Sequence, residues 1–529
     1  MPSTSTNTGT KVAKAAGILM VAMVVSRLLG YVRDMVIYAY FGQNNLTDAY
    51  NAAFSIPDFL YYLLVGGALS SAFIPVFASY IATNKEEEGW RVASTIFNLV
   101  IIMMLAGILL GIIFAPALIY LLVPGFTPEN IALTVKMTRI MFLQTFFMAL
   151  NGISMGILHS YQHFLAPAVG SVMYNLGIIV IGLCFSHFLD MGIVGFAIGV
   201  VFGAALNFAV QLPALWKIGL KYKFIIDFKH PGVRKIGVLI LPVLIGLSVT
   251  HFNLFVNQNL GSNLPSGMIS ALRVAQRIMQ LPIGVFAVAI AVAVFPTLTG
   301  QAAREEREQF KETTSLGLRT IFFITIPSAL GLIALRIPIV RLLFEQGLFT
   351  AEDTHATAYA LLFYCFGLFA YSALQLLNRV FYSIQDTLTP VTVGIFTIII
   401  NIILNFLLIK PMGHGGLALA YSLAGLINML LLLYIFRKKV GSIDGRRIIH
   451  SFLLTLGISA VMGSAAYQTA ELMETVVSVS TKYGQLLQVG AGMIVGVLVF
   501  AFLAFCLKME EGEMVKKILS RRFRKTRHS

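Results

Sequence analysis

The sequence predicts an all-α polytopic membrane protein with about fourteen transmembrane helices. Of its 529 residues, 58% are hydrophobic and only 12% are charged, and the mean hydropathy is +0.84. Soluble domains do not carry so large an apolar fraction. The apolar runs are also long enough to cross a bilayer, which takes about 20 residues per helix. A membrane-embedded helical bundle follows from these two observations.

Fourteen apolar segments account for the predicted spans. They cover residues 14–40, 51–82, 93–123, 133–160, 165–187, 191–216, 236–257, 267–299, 315–341, 354–383, 389–409, 414–436, 448–468 and 484–507. Crossings of roughly 20–25 residues fit within these lengths. The order of the segments leaves short connections throughout the chain, except for a longer one at 217–235.

Basic residues gather in alternate loops. The loop at 217–235 carries six lysines and arginines, the segments at 304–319 and 437–447 carry four and five, and the tail at 508–527 carries eight. The intervening loops hold little more than Lys136, Lys410 and Lys482. By the positive-inside rule, both termini are predicted to be cytoplasmic, so the number of spans is even. The net charge of +15 then predicts contact between the tail and anionic membrane lipids, not nucleic acid.

An internal repeat predicts the architecture. The stretch Ser160–Pro167 recurs as Ser383–Pro390, with Gln, Leu and Pro at matching places. Gly195-Phe-Ala recurs as Gly416-Leu-Ala at almost the same offset. Because six spans separate the copies, both copies have the same orientation in the membrane. Two parallel six-helix lobes around a central cavity are therefore predicted, an arrangement typical of transporters.

The predicted domain bounds follow from this repeat. The N-lobe covers residues 1–228 with spans one to six, and the C-lobe covers 229–440 with spans seven to twelve. Residues 441–510 add spans thirteen and fourteen, which have no counterpart in the repeat. Residues 511–529 form a basic cytoplasmic tail.

The charged residues within spans are the candidate site. Arg27, Arg33 and Asp34 lie in the first apolar span, although a charge at the bilayer centre costs at least about 2.5–3.5 kcal/mol. Arg27 and Asp34 are seven residues apart and share a helix face, whereas Arg33 points elsewhere. Arg273 and Arg277 lie one turn apart in span eight. Because arginine binds phosphate in a bidentate manner and keeps its charge, Arg27, Arg33 and Arg277 suit an anionic headgroup.

Structural interpretations of these residues stay open. Arg33 and Asp34 could form an ion pair that ties span one to a neighbour, and Arg273 could lie near a helix end. Gly30 allows close backbone approach, and Gly30, Pro57 and Pro282 are the predicted hinge residues. The sequence contains no H-E-x-x-H, C-x-x-C or P-loop motif, and its G-x-S-x-G match at Gly152–Gly156 lies within an apolar predicted span and not at a strand-to-helix turn. Neither catalysis, a resident metal nor a cofactor is therefore predicted.

Seven motifs occur in order across spans one to twelve. They are Ser26–Asp34, Asp48-Ala-Tyr, Gly67-Ala to Phe73-Ile-Pro75, Ala275-Gln-Arg277, Leu281-Pro-Ile-Gly284, Gln385–Pro390 and Gly413–Ala418. This set resembles the MurJ (MviN) lipid II flippases of the multidrug/oligosaccharidyl-lipid/polysaccharide exporter superfamily. The resemblance implies that Arg27, Arg33, Asp34, Asp48 and Arg277 contact the diphosphate and the sugar-peptide headgroup of lipid II. It also implies that spans thirteen and fourteen form a groove for the polyprenyl tail.

The chain departs from the family pattern in two places. Many members carry an arginine and a glutamate in span two, where this chain has Tyr61-Tyr62 and Gly66-Gly67. One cationic headgroup contact is therefore either missing here or supplied by Arg273. Some members have a sodium site with carboxylates, whereas the nearest positions here are Asn253, Asn257, Asn401 and Asn405. A neutral site binds a hard cation weakly. The membrane potential is the alternative to monovalent-cation coupling.

The resemblance implies a monomeric flippase in the bacterial plasma membrane. It would carry the peptidoglycan precursor from the inner to the outer leaflet by alternating access. Two alternatives stay open: an exporter of another lipid-linked oligosaccharide, and a non-transporting scaffold for cell-wall enzymes. A drug exporter is disfavoured, because its cavity should be acidic and this one is predicted to be basic.

Overall fold

A computed structural model describes residues 5–66 and 68–512 of the chain, and all regular structure in this part is helical. The helices are α1 (Ser5–Phe41), α2 (Asn45–Ala53), α3 (Ser55–Tyr61), α4 (Ala68–Ala82), α5 (Glu86–Leu122), α6 (Pro128–Ser160), α7 (Leu165–Phe188), α8 (Ile193–Ala209), α9 (Leu212–Lys217), α10 (Pro231–Gly261), α11 (Met268–Pro282), α12 (Val288–Ala303), α13 (Arg307–Ala334), α14 (Arg336–Phe344), α15 (Ala351–Cys365), α16 (Leu368–Ser383), α17 (Leu388–Met412), α18 (His414–Val440), α19 (Gly445–Val476) and α20 (Lys482–Cys506). The all-α prediction is confirmed.

Helical segments lie over each of the fourteen predicted spans, in order. Within the described ranges, ten segments are long and apolar enough to cross a membrane, or eleven if the bent pair α15–α16 counts as one span. The number of fourteen crossings therefore stays a prediction. Several helices extend beyond the predicted apolar segment. Helix α5, for example, begins at Glu86 rather than at residue 93, because three glutamates in its first turn favour a helix N-terminus.

Backbone irregularities repeat at the same offset as the sequence motifs. A π-helical turn at Tyr62–Gly66 has a counterpart at Ile283–Ala287 in the second copy of the repeat. Positive φ angles recur in pairs with this spacing: Asn84 and Glu305, Gln162 and Gln385, Gly192 and Gly413. Such irregularities are specific to position and costly, so their recurrence supports the internal repeat. The parallel arrangement of two lobes stays a prediction.

The chain divides into two compact units, Met1–Gly267 and Met268–Ser529. In the first unit, helix α6 packs against α5 and α8, and α7 packs closely along both α1 and α8. Aromatic side chains on α4, α5 and α6, including Phe73, Trp90 and Phe142, fill its largest core. Helix α10 packs against α4 and α5 and therefore belongs with this unit. The predicted bound at residues 228/229 is not tested by this division.

In the second unit, helix α13 is central, because it packs against α12, α16 and α19. Its core includes Phe322, Phe381 and Phe436. Helices α19 and α20 form an antiparallel pair, and α19 packs along α13. Arg319, which the charge pattern assigns to a basic loop, lies inside α13 and is buried.

The predicted bending residues differ in their local structure. Helix α1 runs without a break through Gly30, which is buried. Pro57 lies in the first turn of α3, one turn before the first π-helical turn, and Pro282 ends α11 immediately before the second. Proline removes a backbone donor from the helical ladder, which fits the loss of regular pairing directly after Pro282, whereas Pro57 lies in a first turn, where no such pairing is lost. Their role as hinges stays a prediction.

Candidate substrate-binding site

Arg33 and Asp34 form an ion pair on α1. The Arg33 Nε and one terminal nitrogen of its guanidinium donate to Asp34 Oδ1 at 3.0 and 2.8 Å. Each side chain is only 14% exposed. Consecutive residues point about 100° apart on a helix, but the arginine side chain is long enough to span that angle. The helix period places Arg33 and Asp34 on different faces of α1, but their side chains nevertheless meet.

Asn175 on α7 completes this arrangement. Arg33 also donates to Asn175 Oδ1 at 3.3 Å, and Asn175 Nδ2 donates to the carbonyl oxygens of Ser26 and Ser171. Helices α1 and α7 are thus joined by a buried polar cluster, as the structural interpretation of Arg33 and Asp34 expects. Such a cluster fixes the Arg33 guanidinium in position, since every direction of movement breaks a hydrogen bond.

Arg27 differs from Arg33 because it is exposed. It lies on α1 almost two turns before Arg33, and it makes no ion pair with any residue in the described part of the chain. An arginine on an apolar helix without a counter-ion retains a full positive charge. Of the two predicted arginines on α1, Arg27 is therefore the one with charge available for an anionic ligand.

Asp48 is buried near the start of α2, where its Oδ2 accepts a hydrogen bond from the Gly267 amide at 2.7 Å. Gly267 has φ +86°, and a Cβ there would lie 2.3 Å from the carbonyl oxygen of Gln43. Only glycine fits this close approach without strain. The observed contact gives Asp48 a structural function within the first unit, while its predicted contact with substrate is not tested.

Arg273 and Arg277 lie one turn apart on α11, and Arg273 is the more exposed of the two. The opposite face of α11 is buried and includes Val274, Ala275 and Ile278. Gln276 hydrogen-bonds the hydroxyl of Tyr421 on α18, which fixes the rotation of α11 within the second unit. The two arginines are thereby held on the side of the helix away from its core, as their spacing predicts.

A second polar chain was missed by the sequence analysis. Tyr174 on α7 donates to Gln144 Oε1 at 3.3 Å, and Gln144 Nε2 donates to Asp58 Oδ1 at 3.4 Å. Gln144 is buried on α6. The sequence feature that could have pointed to it is a polar amide side chain within a long apolar span. The pairing itself could not be read from the sequence, because 86 residues separate Gln144 from Asp58.

The four asparagines predicted as an ion site lie as two pairs. Asn401 and Asn405 are both buried on α17, and Asn405 Nδ2 donates to Asn401 Oδ1 at 3.2 Å. Nearby, Asn428 on α18 donates to Thr397 Oγ1 at 3.1 Å. Asn253 and Asn257 lie one turn apart on α10, and the side-chain oxygen of Asn253 is buried without a hydrogen-bond donor in the described structure. Within that structure, no cluster of histidine, cysteine or carboxylate side chains could hold a metal ion.

A cleft of about 400 Å³ lies between α13 and α19 in the second unit. Leu330, Ile333 and Ala334 form one wall, and α19 residues from Ser459 to Gln468 form the other. Several residues on the α19 side are small, among them Gly463, and their short side chains leave this space open. The walls are mostly apolar, as a site for a hydrocarbon chain requires.

The fold is that of a polytopic transporter. A structure described as an inward-facing MATE multidrug transporter of the MOP superfamily matches with a TM-score of 0.66, over 81% of this chain and 99% of that one. Their sequences are only 16% identical, so this likeness concerns the fold alone.

The family is defined more closely by sequence. The family model described as "Lipid II flippase MurJ" matches residues 37–487. A Vibrio cholerae protein named "Probable lipid II flippase MurJ" is 34% identical over 427 residues, 79% of this chain and 81% of the relative. A structure described as "Lipid II flippase MurJ, inward closed conformation" has a TM-score of 0.77 and 30% identity, covering 92% of this chain and 99% of that one. The chain belongs to the lipid II flippase MurJ family, which consists of membrane transporters and not of enzymes.

Proposed function

We propose that this protein flips lipid II, the undecaprenyl-diphosphate-linked peptidoglycan precursor, from the inner to the outer leaflet of the bacterial plasma membrane. The single observation that carries the proposal is the family match over residues 37–487. Flipping requires that a diphosphate and a sugar-peptide headgroup cross hydrocarbon, where each unpaired charge is costly. The protein would replace the lost hydration with polar and cationic groups of its own, by alternating access.

Arg27 and Arg277 are the proposed diphosphate contacts, and each would bind the diphosphate at some stage of the transport cycle. The support is their charge within predicted membrane spans and, for Arg27, its exposure and its lack of an ion pair in the described structure. Arg33 would act differently, because Asp34 and Asn175 already hold its guanidinium. We propose that Arg33 and Asp34 position α1 and offer the headgroup a fixed donor, with Asp48 and Arg273 as secondary contacts.

The polyprenyl tail is proposed to lie in a groove of spans thirteen and fourteen, which are α19 and α20, and the cleft between α13 and α19 would form part of this groove. A tail held there remains in an apolar environment while the headgroup moves, so only the polar part of the lipid needs a new path. The apolar side chains of Leu330 and Ile333 support this assignment.

The remaining features of the proposal concern environment and drive. Both termini would be cytoplasmic, and the basic tail, of which residues 513–529 lie outside the described part of the chain, would contact anionic lipids. The protein would act as a monomer. With neutral asparagines at the four candidate positions, cation coupling would be weak, and the membrane potential acting on charged groups would drive transport.

The test measures outward-facing lipid II in cells depleted of every other flippase, with and without this protein. Arg27→Ala and Arg277→Ala are expected to abolish outward lipid II at normal membrane levels of protein. Arg437→Ala, an exposed arginine in a predicted loop, is the matched control and should transport normally. A potential-collapsing ionophore should lower the signal. Unchanged outward lipid II without the protein would reject the proposed substrate, and normal flipping by both variants would reject the proposed residues.

A further inference from the structure

The connection between α9 and α10 forms a strap along the first turns of α5. Residues 220–227 contain neither helix nor strand. Asn98 Nδ2 donates to the carbonyl oxygens of Lys223 and Ile225 at 3.3 and 2.9 Å. The Lys223 amide donates to Ser94 Oγ at 3.1 Å. The side chains of α5 thus satisfy the backbone of the strap, which otherwise lacks a partner strand or helix.

The strap runs outward along α5 in a fixed register. Tyr222 donates to Asn98 Oδ1 at 2.6 Å, whereas Asp227 bonds with Arg91 at 2.9 Å and its amide with Thr95 at 3.3 Å. Further on, His230 contacts Glu88 at 2.6 Å. As the strap residue numbers rise, their partners on α5 therefore move toward its N-terminus.

The depth of the strap follows from α5. This helix has 37 residues and is about 55 Å long, well beyond the roughly 30 Å of a bilayer core. Its sequence is polar up to Thr95 and almost wholly apolar from Ile96 to Leu122. Helix α5 therefore enters the hydrocarbon near Ile96. Because Ser94 and Asn98 hold the strap at that level, the strap lies at the membrane interface.

The outer side of the strap carries an apolar row. Phe224 is 79% exposed, and Ile226 and Phe228 are also exposed, whereas Ile225 and Asp227 between them are half-buried. The strap backbone is bonded to α5, so the exposure of these three side chains places them on the side away from α5, and tight turns at Phe224 and at Phe228 direct two of them outward. Three large apolar side chains in a row would be unfavourable in water, but aromatic rings are enriched at the membrane interface.

Positive charge surrounds the row. Four exposed lysines flank it, and the single carboxylate of the strap is already paired with Arg91. The lysines are Lys217, Lys221, Lys223 and Lys229. A segment with apolar rings in the interface and exposed lysines beside them binds anionic bilayers more tightly than neutral bilayers.

We propose that this strap is a membrane anchor that binds anionic phospholipid, with Phe224 deepest and Phe228 nearer the aqueous phase. None of its residues belongs to the basic tail or to the proposed lipid II contacts. It would hold the polar end of α5 at a constant depth and keep anionic lipids next to the first unit.

The test uses the full chain in nanodiscs of phosphatidylcholine with a minority of phosphatidylglycerol, in which one or the other lipid is brominated. Phe224→Trp and Phe228→Trp are made in a Trp216→Phe parent, whose remaining Trp90 is buried and supplies the background. At an equal bromine fraction, brominated phosphatidylglycerol should quench Trp at 224 roughly twofold more than brominated phosphatidylcholine. Quenching should be weaker at 228 than at 224.

Charge variants separate the lysines from general membrane proximity. The fourfold change of Lys217, Lys221, Lys223 and Lys229 to Gln should abolish the preference for the anionic lipid. The double variant Lys136→Gln/Lys410→Gln, with exposed lysines on the predicted opposite side, is the matched control and should retain it. Equal quenching by both lipids would overturn the anionic-lipid assignment. If neither brominated lipid quenches the Trp fluorescence and the emission depends on protein concentration, the apolar row contacts a second copy of the chain. That result would overturn the anchor. No outcome depends on flipping.

Discussion

A buried charge cluster attaches the end of the described chain to the second unit. Arg319 on α13 donates to Glu510 at 2.8 Å and to Glu511 at 3.1 Å, and Ser451 on α19 donates to Glu511 at 3.0 Å. The side chains of Arg319 and Glu511 are only 7% and 4% exposed. Met509, also buried, packs with Phe323. This contact docks residues 509–511 against α13 and α19, the two helices that also line the cleft proposed for the lipid tail.

Glu511→Gln is predicted to undock this segment. Removal of one partner from a buried ion pair costs about 3–5 kcal/mol, and the lower end applies because Arg319 keeps Glu510. A loss of about 3 kcal/mol raises the open fraction by roughly a hundredfold. Arg319→Met should have a similar effect, since it leaves Glu511 buried with only Ser451. The double variant Arg319→Met/Glu511→Met should regain most of the loss, because an apolar pair of similar size carries no desolvation penalty.

Hydrogen exchange reports this undocking directly. The Met509 amide donates to the Ala504 carbonyl at 3.1 Å, so its exchange requires the segment to open. Arg447→Ala is the control, because its pair with Glu510 is about half exposed and worth at most about 1 kcal/mol. Exchange within threefold of the wild-type rate in Glu511→Gln would refute the reasoning. A double variant no better protected than either single variant would refute the coupling.

Three further predictions rest on contacts within the two units. Hydrogen bonds from Arg319 and then Arg447 lower the pKa of Glu510. Docking is therefore complete above the ordinary glutamate pKa and weakens as pH falls through the lowered pKa. Amide exchange of Met509, corrected for its intrinsic pH dependence, should rise in acid, and constant protection would contradict this. Gly203→Leu should lower the melting temperature strongly, because a Cβ there lies 2.6 Å from the Tyr174 carbonyl, whereas Gly237→Ala, with open space, should not. Lys482→Met removes the donor to three carbonyl oxygens at the end of α14, so the free energy of unfolding should fall by about 1–2 kcal/mol. An unchanged melting temperature would contradict this.

The sequence by itself determined the features that depend on neighbouring residues. Hydropathy located the helical segments, since each needs only its own apolar run to be stable in a bilayer. The helix period placed Arg273 and Arg277 on one face, and the offset between the repeated motifs anticipated the recurrence of the π-helical turns. The same information located the charged residues of α1, because a charge in an apolar span is visible without any fold.

Only the tertiary structure decided which of these charges are already paired. Arg33 is held by Asn175, 142 residues away, and Arg319 by Glu511, 192 residues away. The adjacent Asp34 suggests a partner for Arg33, but only the packing of α1 against α7 shows that Asn175 completes a polar cluster around Arg33 while Arg27 stays exposed. The strap along α5 is equally non-local, since its register is set by Ser94 and Asn98. Such pairings depend on how helices pack, and packing brings together residues whose separation along the chain carries no periodic signal.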